Sequence, residues 1–236
     1  MDQHRIVSPH EWTEARKKLL AKEKEFTRLR DQLSQERRDL PWERVEKSYV
    51  FDGLDGKQSL ADLFEGRSQL IVYHFMFGPD WEAGCKSCSF WADNFNDIIV
   101  HLNQRDVTMI AVSRAPLQRI ESFRKRMGWR FKWVSSLGSD FNHDYQVSIT
   151  PEEQARGEIY YNYAWQPSTM SERPGISVFY KNADQSLVHT YSCYERGIDM
   201  MNAAYHYLDL VPRGRDEANE RPYPQAWVRH HDNYNA

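Results

Sequence analysis

The chain contains two cysteines separated by two residues, and this spacing suits thiol chemistry better than any other pattern in the sequence. Cys85 and Cys88 form a C-x-x-C pair that follows the apolar run at residues 70–77. After the pair, apolar residues recur near the helical period of about 3.6, which predicts a helix with one buried face. The residues of this face are Cys88, Trp91, Phe95, Ile98, Ile99 and Leu102. A C-x-x-C pair between a strand and a helix is typical of dithiol redox chemistry in α/β proteins.

The predicted start of the helix gives the two thiols different roles. Cys85 lies at the first turn, where free backbone N–H groups and the helix dipole favour an anion, and Lys86 adds a positive charge beside it. A thiolate there has a lowered pKa, and the thiolate is the form that attacks a disulfide. Cys88 falls one turn deeper, on the buried face. We therefore predict that Cys85 is the nucleophile and that Cys88 resolves the mixed disulfide.

Two other interpretations of the pair stay open. The pair could be half of a zinc site, with His189 and Cys193 as the other half. A strand over residues 187–194 would hold these two residues about 13 Å apart, which opposes that interpretation. The pair could also be two unreactive thiols of the core. Cys193 is predicted to be a buried, apolar thiol with no required part in the chemistry.

The composition indicates a folded protein with its own core. An apolar fraction of 40%, with eight tryptophans and thirteen tyrosines, suits one large domain with or without appendages. A formal net charge of −3 argues against nucleic acid as a partner. No run reaches the roughly 18 apolar residues of a membrane span, and the first residues lack the apolar core of a secretion signal. Three cysteines, an odd number, do not suggest a secreted disulfide scaffold.

These properties predict a cytoplasmic protein with one reactive dithiol. Its expected partners are the thiols and disulfides of proteins or small molecules. We expect neither nucleic acid nor a membrane as a partner, and the sequence predicts no cofactor and no metal.

Residues 8–40 are predicted to form an N-terminal helical arm. Ser8 can cap the helix, Pro9 suits its first position, and Glu11 completes a capping box. Apolar residues then alternate at spacings of three and four, interrupted at Lys22, until Pro41 ends the helix. They are Trp12, Ala15, Leu19, Phe26, Leu29 and Leu33. This stripe needs a cover, either the chain's own domain or a second subunit, and its near-heptad spacing favours a homodimer.

Residues 42–211 are predicted to form an α/β domain. Strands are predicted at 45–51, 70–77, 107–113 and 131–135, helices at 59–64, 116–127 and 200–210, and a hairpin at 176–180 and 187–194. The alternation of strands and helices implies parallel pairing with right-handed crossovers. Residues 138–174 are predicted to be an irregular excursion, either a packed cover for the core or a lid over the dithiol. Residues 212–236 are predicted to be a polar C-terminal tail.

Several segments resemble known proteins. The order strand, C-x-x-C helix, strand, helix, hairpin and terminal helix resembles the thioredoxin-like proteins. The segments YHFMFGPDW at 73–81, VSRAP at 112–116, GSDFN at 138–142, HTYS at 189–192, RG at 196–197 and YLDL at 207–210 resemble the bacterial "domain of unknown function 899" family. The likeness runs from the N-terminal helix to about Arg215. It implies a thioredoxin-like α/β fold, with a central mixed sheet flanked by helices, and a dithiol–disulfide oxidoreductase activity that is itself only predicted for the family.

The likeness to thioredoxins suggests supporting residues. Thioredoxins have a cis-proline before the hairpin strand, where its backbone helps to bind a disulfide, and Pro174 lies near that position. Their buried carboxylate, which accepts a proton, has no clear counterpart in residues 70–77. His74 is the nearest titratable residue, either as proton acceptor or as a hydrogen-bonded core histidine. Trp81 lies in an approach to Cys85 that is longer than thioredoxins have.

Two further functions remain as alternatives. Peroxiredoxins share the fold, but they have a hydroxyl residue three positions before the peroxidatic cysteine, where this chain has Glu82. A carboxylate at that position would oppose formation of the thiolate. The other alternative is a non-catalytic thioredoxin-like interaction module, in which aromatic residues such as Trp81, Trp165 and Tyr191 form a binding surface.

Overall fold

A computed structural model describes residues 4–168 and 170–234. The chain divides into two units, Met1–Pro41 and Trp42–Ala236. The first unit contains helix α1 (Pro9–Arg38), which has 30 residues. Its predicted capping box is present, because Ser8 Oγ accepts a hydrogen bond from Glu11 N at 3.3 Å and the Glu11 carboxylate accepts one from Ser8 N at 3.1 Å.

The described part of the second unit contains ten strands. They are β1 (Glu43–Arg44), β2 (Val50–Gly53), β3 (Gly56–Ser59), β4 (Gln69–His74), β5 (Val107–Ser113), β6 (Lys132–Ser135), β7 (Glu158–Tyr161), β8 (Ala164–Pro167), β9 (Gly175–Lys181) and β10 (Leu187–Tyr194). Eight of them form one sheet in the order β1-β10-β9-β4-β5-β6-β2-β3, and β7 pairs with β8 in a separate hairpin.

The pairing of the central strands defines the fold. β4 and β5 are parallel, as are β5 and β6, which confirms the predicted parallel pairing. β9 runs antiparallel to both β4 and β10. This mixed sheet, with helices flanking it and an antiparallel hairpin beside the strand that precedes the C-x-x-C helix, is a thioredoxin-like fold, as the resemblance implied.

Six α-helices lie in the described part of the second unit. They are α2 (Lys86–Phe95), α3 (Ile99–Asn103), α4 (Leu117–Arg126), α5 (Phe141–Asp144), α6 (Pro151–Arg156) and α7 (Ala203–Leu208). The buried face predicted over residues 88–102 is therefore divided between two helices. At the break, Asn96 Oδ1 accepts a hydrogen bond from Arg130 N at 2.7 Å and Asn96 Nδ2 donates to Asp97 Oδ1 at 3.0 Å. None of the helices in the described residues has the length and apolar character needed to cross a bilayer.

The predicted strand at residues 45–51 is wrong except at its end, where Val50 and Phe51 begin β2. β1 pairs with β10, whereas β2 pairs with β3 and β6 near the other end of the strand order. The intervening residues therefore connect distant strands instead of forming one. Val45 and Tyr49 within this connection pack on the apolar core, which explains why the segment looks like a strand in the sequence.

The segment 138–174 is more regular than the sequence predicts. It contains α5, α6 and the β7–β8 hairpin. Four apolar residues of this segment pack with a residue of β10 in a small cluster of their own, whereas Phe141 joins a larger core. The cluster consists of Val147, Ile149, Ile159, Tyr161 and Tyr194. This packing makes the segment part of the folded unit, and its role as a lid stays a prediction.

The end of the chain also differs from the predicted helix at 200–210. A 3₁₀ helix, Glu195–Met201, precedes the short helix α7. Asn202 separates them and caps α7, since its side-chain oxygen accepts a hydrogen bond from Tyr205 N at 3.2 Å. Two further 3₁₀ turns, Pro224–Trp227 and His231–Asn233, lie in the segment predicted to be a polar tail.

The sheet separates two apolar cores. We call the core on the side of α2 the dithiol-side core; it includes Tyr73, Phe75, Cys88, Trp91, Phe95 and Cys193. The opposite core includes Leu63, Phe64, Leu70, Val72, Phe141 and Phe179. Successive side chains of a strand point to opposite faces, so β4 directs Tyr73 to the dithiol-side core and Val72 to the opposite core.

Candidate dithiol site

The backbone around Cys85 is held to the end of the sheet. Phe75 N donates a hydrogen bond to Val112 O at 3.0 Å, just beyond the last residue of β4. Cys85 N donates to Met76 O at 3.0 Å, which brings the thiol to the carboxyl end of β4. At position 84, a Cβ atom would lie 2.7 Å from a ring carbon of Phe75 and 2.8 Å from one of Phe123. The residue before the candidate nucleophile therefore has to be glycine.

Arg119 anchors the loop that leads to the dithiol. Its Nη1 donates hydrogen bonds to Pro79 O at 2.7 Å and Trp81 O at 2.8 Å. The ring of Trp81 is partly buried and packs on Gly78, where a Cβ would lie 2.8 Å from Trp81 Nε1. Trp81 thus packs as a structural part of this loop.

Cys85 occupies the N-cap position of α2, and the residue is partly exposed. A hydrogen bond with the Cys88 thiol, the backbone N–H groups of Cys88 and Ser87, and the Ser87 hydroxyl together lower the pKa of Cys85 to about 7, against the opposing effect of burial. Free N–H groups at a helix start stabilise an anion in this way. The pKa of Cys85 is thereby brought close to neutral pH.

Cys88 has the opposite properties. Its side chain is buried, with 2% of its surface exposed. Burial raises the pKa of Cys88 well above its ordinary value, and the neighbouring Cys85 raises it further. Neither thiol is in a disulfide. The pair therefore consists of a partly exposed cysteine whose pKa is lowered and a buried cysteine whose pKa is raised.

Tyr73 is the residue that sequence reasoning missed. It is 1% exposed, and its hydroxyl makes no hydrogen bond of standard geometry within the described residues. Tyr73 and Cys88 line the same cavity, and burial together with the proximity of Cys88 and Cys85 raises the pKa of Tyr73. In return, the Tyr73 hydroxyl lowers the pKa of Cys88. The alternation of β4 could have identified it, since Tyr73 shares a face with Phe75 under the helix that carries the cysteines.

His74 lies on the other face of the sheet. Its Nε2 is 2.8 Å from Ser177 Oγ, and its ring stands 5.6 Å from Phe141 and 6.1 Å from Tyr145. Burial lowers the pKa of His74 to about 3, so the ring is neutral at physiological pH. Of the two interpretations that the sequence left open, the hydrogen-bonded core histidine matches this position, and Tyr73 takes the place beside the dithiol.

Lys86 directs its charge toward the C-terminal segment. Its Nζ donates a hydrogen bond to Ala226 O at 3.1 Å and stands 5.6 Å from the ring centre of Tyr223. A second contact joins the same segment to the dithiol loop, where His230 Nε2 lies 2.9 Å from Gly84 O. The residues predicted to be a polar tail therefore cover the start of α2.

A cavity of about 200 Å³ opens beside Cys88. Its apolar lining includes Tyr73, Trp91 and Ile198, and its polar side includes Arg196 and Asp199, which form an ion pair at 2.9 Å. This cavity leads from the surface to the buried member of the pair.

Pro174 also lines this cavity and directly precedes β9, the position that thioredoxins give to their cis-proline. Its peptide bond is trans, since the cis bond of the described chain is Arg221–Pro222.

The residues of the zinc interpretation do not come together. A bulge between His189 and Tyr191 shifts the register of β10. As a result, Cys193 packs in the dithiol-side core at 8% exposure, whereas His189 faces the other way, with its ring 5.5 Å from Phe179. In the part of the chain that the structure describes, no three His, Cys, Asp or Glu side chains are grouped to hold a metal ion.

Comparison with known proteins identifies a family. Residues 1–234 match the family described as "Bacterial protein of unknown function (DUF899)". No protein with a curated description matches the chain.

Similar solved structures include peroxidoxin BcpB from Mycobacterium tuberculosis (10% identity, TM-score 0.46, covering 70% of this chain and 94% of that one). Peroxiredoxin Q from Xanthomonas campestris is also similar (13% identity, TM-score 0.45, covering 70% and 96%). A hypothetical protein from Sinorhizobium meliloti 1021 is a further match (12% identity, TM-score 0.40, covering 64% and 70%). At these identities and scores, the likeness assigns no activity to the chain.

Proposed function

The chain belongs to the DUF899 family, and we propose that it is a thiol–disulfide oxidoreductase whose dithiol is Cys85 and Cys88. The observation that carries the proposal is the placement of two free thiols at the start of α2, with Cys85 at the N-cap and Cys88 buried one turn deeper. The pKa of Cys85 is lowered to about 7 at the start of α2, whereas burial raises that of Cys88. A directional exchange reaction needs this difference in pKa, because the thiolate attacks the substrate disulfide first and the protonated thiol reacts only in the second step.

The reaction follows from these two states. The Cys85 thiolate attacks one sulfur of a substrate disulfide, forms a mixed disulfide and releases the other half of the substrate as a thiolate. Cys88 then loses its proton and attacks Cys85 Sγ, which releases the second half. The substrate gains two electrons, and the protein is left with a Cys85–Cys88 disulfide that a dithiol donor reduces again. The reverse sequence oxidises a substrate dithiol.

Tyr73 and the cavity support the second step. Cys88 is a poor nucleophile while it is protonated. Tyr73, whose buried hydroxyl has no partner among the described residues, lines the same cavity as Cys88 and can donate a hydrogen bond to the thiolate when it forms. The cavity of about 200 Å³ beside Cys88 gives a departing group room on the side of Arg196 and Asp199. We assign Tyr73 as a positioning residue for the resolving thiol.

The test uses single cysteine variants and a small disulfide such as hydroxyethyl disulfide. On oxidation, the parent protein should lose two hydrogens by intact mass, localised to Cys85 and Cys88. Cys88→Ser should accumulate a mixed disulfide on Cys85, and Cys85→Ser should form none. Cys193→Ala is the matched control and should behave as the parent protein does, because Cys193 is buried in the core.

The same assay decides among the alternatives. Equal trapping by both single variants would contradict a directional pair. An unreactive pair would favour a non-catalytic interaction module. If hydrogen peroxide oxidises Cys85 to a sulfenic acid faster than the disulfide reacts, peroxide reduction would replace the proposal. Retention of stoichiometric zinc that is lost in Cys193→Ala would restore the metal-site interpretation.

A further inference from the structure

Helix α1 exposes an apolar stripe along its length. Within the described residues, none of the side chains of α1 is buried. Five large apolar residues on this stripe are between 44% and 65% exposed: Trp12, Leu19, Phe26, Leu29 and Leu33. Single exposed apolar residues are ordinary, but a row of them on one face indicates an interaction surface. A helix of this kind gains most of its stability from packing of its apolar face.

The spacing of the stripe is that of a coiled coil. Alternating steps of three and four residues define heptad positions a and d. The a positions are Trp12, Leu19, Phe26 and Leu33, and the d positions are Ala15, Lys22, Leu29 and Glu36. The a positions are all apolar, and the two charged residues are both at d. A seven-residue repeat keeps its apolar seam facing one partner helix when two helices supercoil.

The charges beside the seam identify the partner and its direction. In a parallel pair of helices, each g residue meets the e residue five positions later on the other helix. When the partner is a second copy of this chain, the g residue is named first and the e residue second in each contact. The contacts are Glu11 with Arg16, Lys18 with Glu23, Glu25 with Arg30, and Gln32 with Arg37. The first three join opposite charges, and the fourth joins an amide to a cation. Like charges meet at none of the four.

The antiparallel arrangement gives a poorer match. The register that stacks the most a and d layers would place Leu19 against Leu29 of the second copy. In that register, Glu25 would face Glu25, Glu23 would face Glu23, and Arg16 would face Arg30. Like charges oppose one another there, which disfavours this direction.

The central charges are available for such pairing. Within residues 4–168 and 170–234, the side chains of Lys18, Glu25 and Arg30 form no ion pair. By contrast, Glu11 is already held by the capping box and by Arg5 at 2.8 Å, and Arg16 pairs with Glu23 along the helix at 2.8 Å. The pair of Glu25 with Arg30 is therefore the clearest contact between the two copies.

From the seam and these charges we propose that α1 forms a parallel, in-register, two-stranded coiled coil with α1 of a second copy of this chain. Lys22 weakens the dimer, because two copies bring their Lys22 ammonium groups to the same d layer. The long stem of lysine can lie along the seam while its charge reaches water, so the layer is tolerated. This proposal is independent of the dithiol and of the proposed function.

Sedimentation equilibrium of the full chain, from about 1 to 100 µM, tests the proposal. The parent protein should be a dimer at the upper end of this range. Glu25→Lys and Arg30→Glu should each raise the dimer dissociation constant about tenfold, because two symmetric contacts become repulsive. The double variant should return to within about twofold of the parent protein. Lys22→Leu should lower the constant about tenfold.

Lys24→Glu is the matched control, since it reverses a charge at the outer f position one residue from Glu25. It should leave the dissociation constant unchanged, and the helix content of every variant should match that of the parent protein by circular dichroism. A parent protein that stays monomeric at the highest concentration would overturn the dimer. The parallel register would be overturned if the single charge reversals dimerise as tightly as the control. It would also be overturned if the double variant does not regain the dissociation constant of the parent protein.

Discussion

Lys86 Nζ donates a hydrogen bond to Ala226 O at 3.1 Å, across 140 positions of the chain. The lysine next to the candidate nucleophile is thereby tied to the C-terminal segment, with its ammonium group also near the ring of Tyr223. The acidity of Cys85 comes chiefly from Cys88 and from backbone N–H groups. The C-terminal segment that covers the start of α2 therefore lies near Cys85 but does not cause the lowered pKa of its thiol.

The first prediction follows from this separation. In Lys86→Gln, the pH midpoint of Cys85 alkylation should stay near that of the parent protein, for which the pKa is about 7. Ser87→Ala should raise the midpoint, because it removes a hydroxyl group that lowers the pKa of Cys85. Iodoacetamide labelling against pH, read by peptide mass, measures both. A large upward shift in Lys86→Gln would contradict the assignment, as would faster labelling of Cys88 than of Cys85.

The second prediction concerns Tyr73. Tyr73→Phe keeps the buried ring and removes the hydroxyl that stabilises the Cys88 thiolate. Loss of a hydrogen bond to a charged group should slow resolution of the mixed disulfide by about tenfold or more. The lifetime of the mixed disulfide, followed by acid quench and mass spectrometry, measures this step.

His74→Asn serves as the control for Tyr73, because His74 faces the opposite core. It should leave the resolution rate close to that of the parent protein. A similar loss of rate in both variants would point to a general effect on the sheet, and an unchanged rate in Tyr73→Phe would remove its assigned role.

The third prediction uses Glu172, which is 2% exposed. Burial raises the pKa of Glu172 to about 7, against the hydrogen bond from Ser148 and the proximity of Arg114 at 3.4 Å. Between the ordinary pKa of 4.5 and 7, the folded chain holds a proton that the unfolded chain has released. Its contribution to stability is therefore present at low pH and is lost as the pH rises through this window, by about 3 kcal/mol in all.

Glu172→Gln keeps a neutral side chain at every pH, so its free energy of unfolding relative to the parent protein should rise between pH 5 and 8. Urea unfolding at several pH values measures the difference. The comparison of variant and parent also cancels the contribution of His74 to the pH dependence of stability. The pKa of His74 is lowered to about 3, so its contribution increases with pH below its ordinary pKa. Glu158→Gln, at an exposed position of β7, is the control. A constant difference between Glu172→Gln and the parent protein would contradict a proton held by Glu172.

The fourth prediction concerns the glycine before the dithiol. In Gly84→Ala, the new Cβ would lie 2.7 Å from the Phe75 ring and 2.8 Å from the Phe123 ring. We expect a loss of about 1–3 kcal/mol in the free energy of unfolding, because two buried rings must move. Displacement of the loop should also slow disulfide exchange at Cys85. Urea unfolding and the trapping assay measure the two effects, and a variant as stable as the parent protein would contradict this close packing.

Much of the fold could be predicted from local patterns in the sequence. β5 (Val107–Ser113) occupies the residues predicted for it, because the apolar run at residues 109–112 suits a strand buried on both faces. The capping box of α1 and the start of α2 at the C-x-x-C pair are also local, since each depends on residues within one helical turn. Secondary structure of this kind can be predicted from short sequence patterns, because the backbone and the side chains of a few neighbouring residues determine it.

The surroundings of the dithiol depended on tertiary structure. The contact of Lys86 with Ala226, the anchoring of the loop by Arg119, and the position of Tyr73 beneath Cys88 join residues that are remote in sequence or set by the face of a strand. A side chain takes the direction that packing and hydrogen bonding allow, and those partners come together only when the sheet has formed. The sequence by itself therefore determined which residues form the pair and where the helix begins, whereas tertiary packing decided which groups surround the two thiols and separate their pKa values.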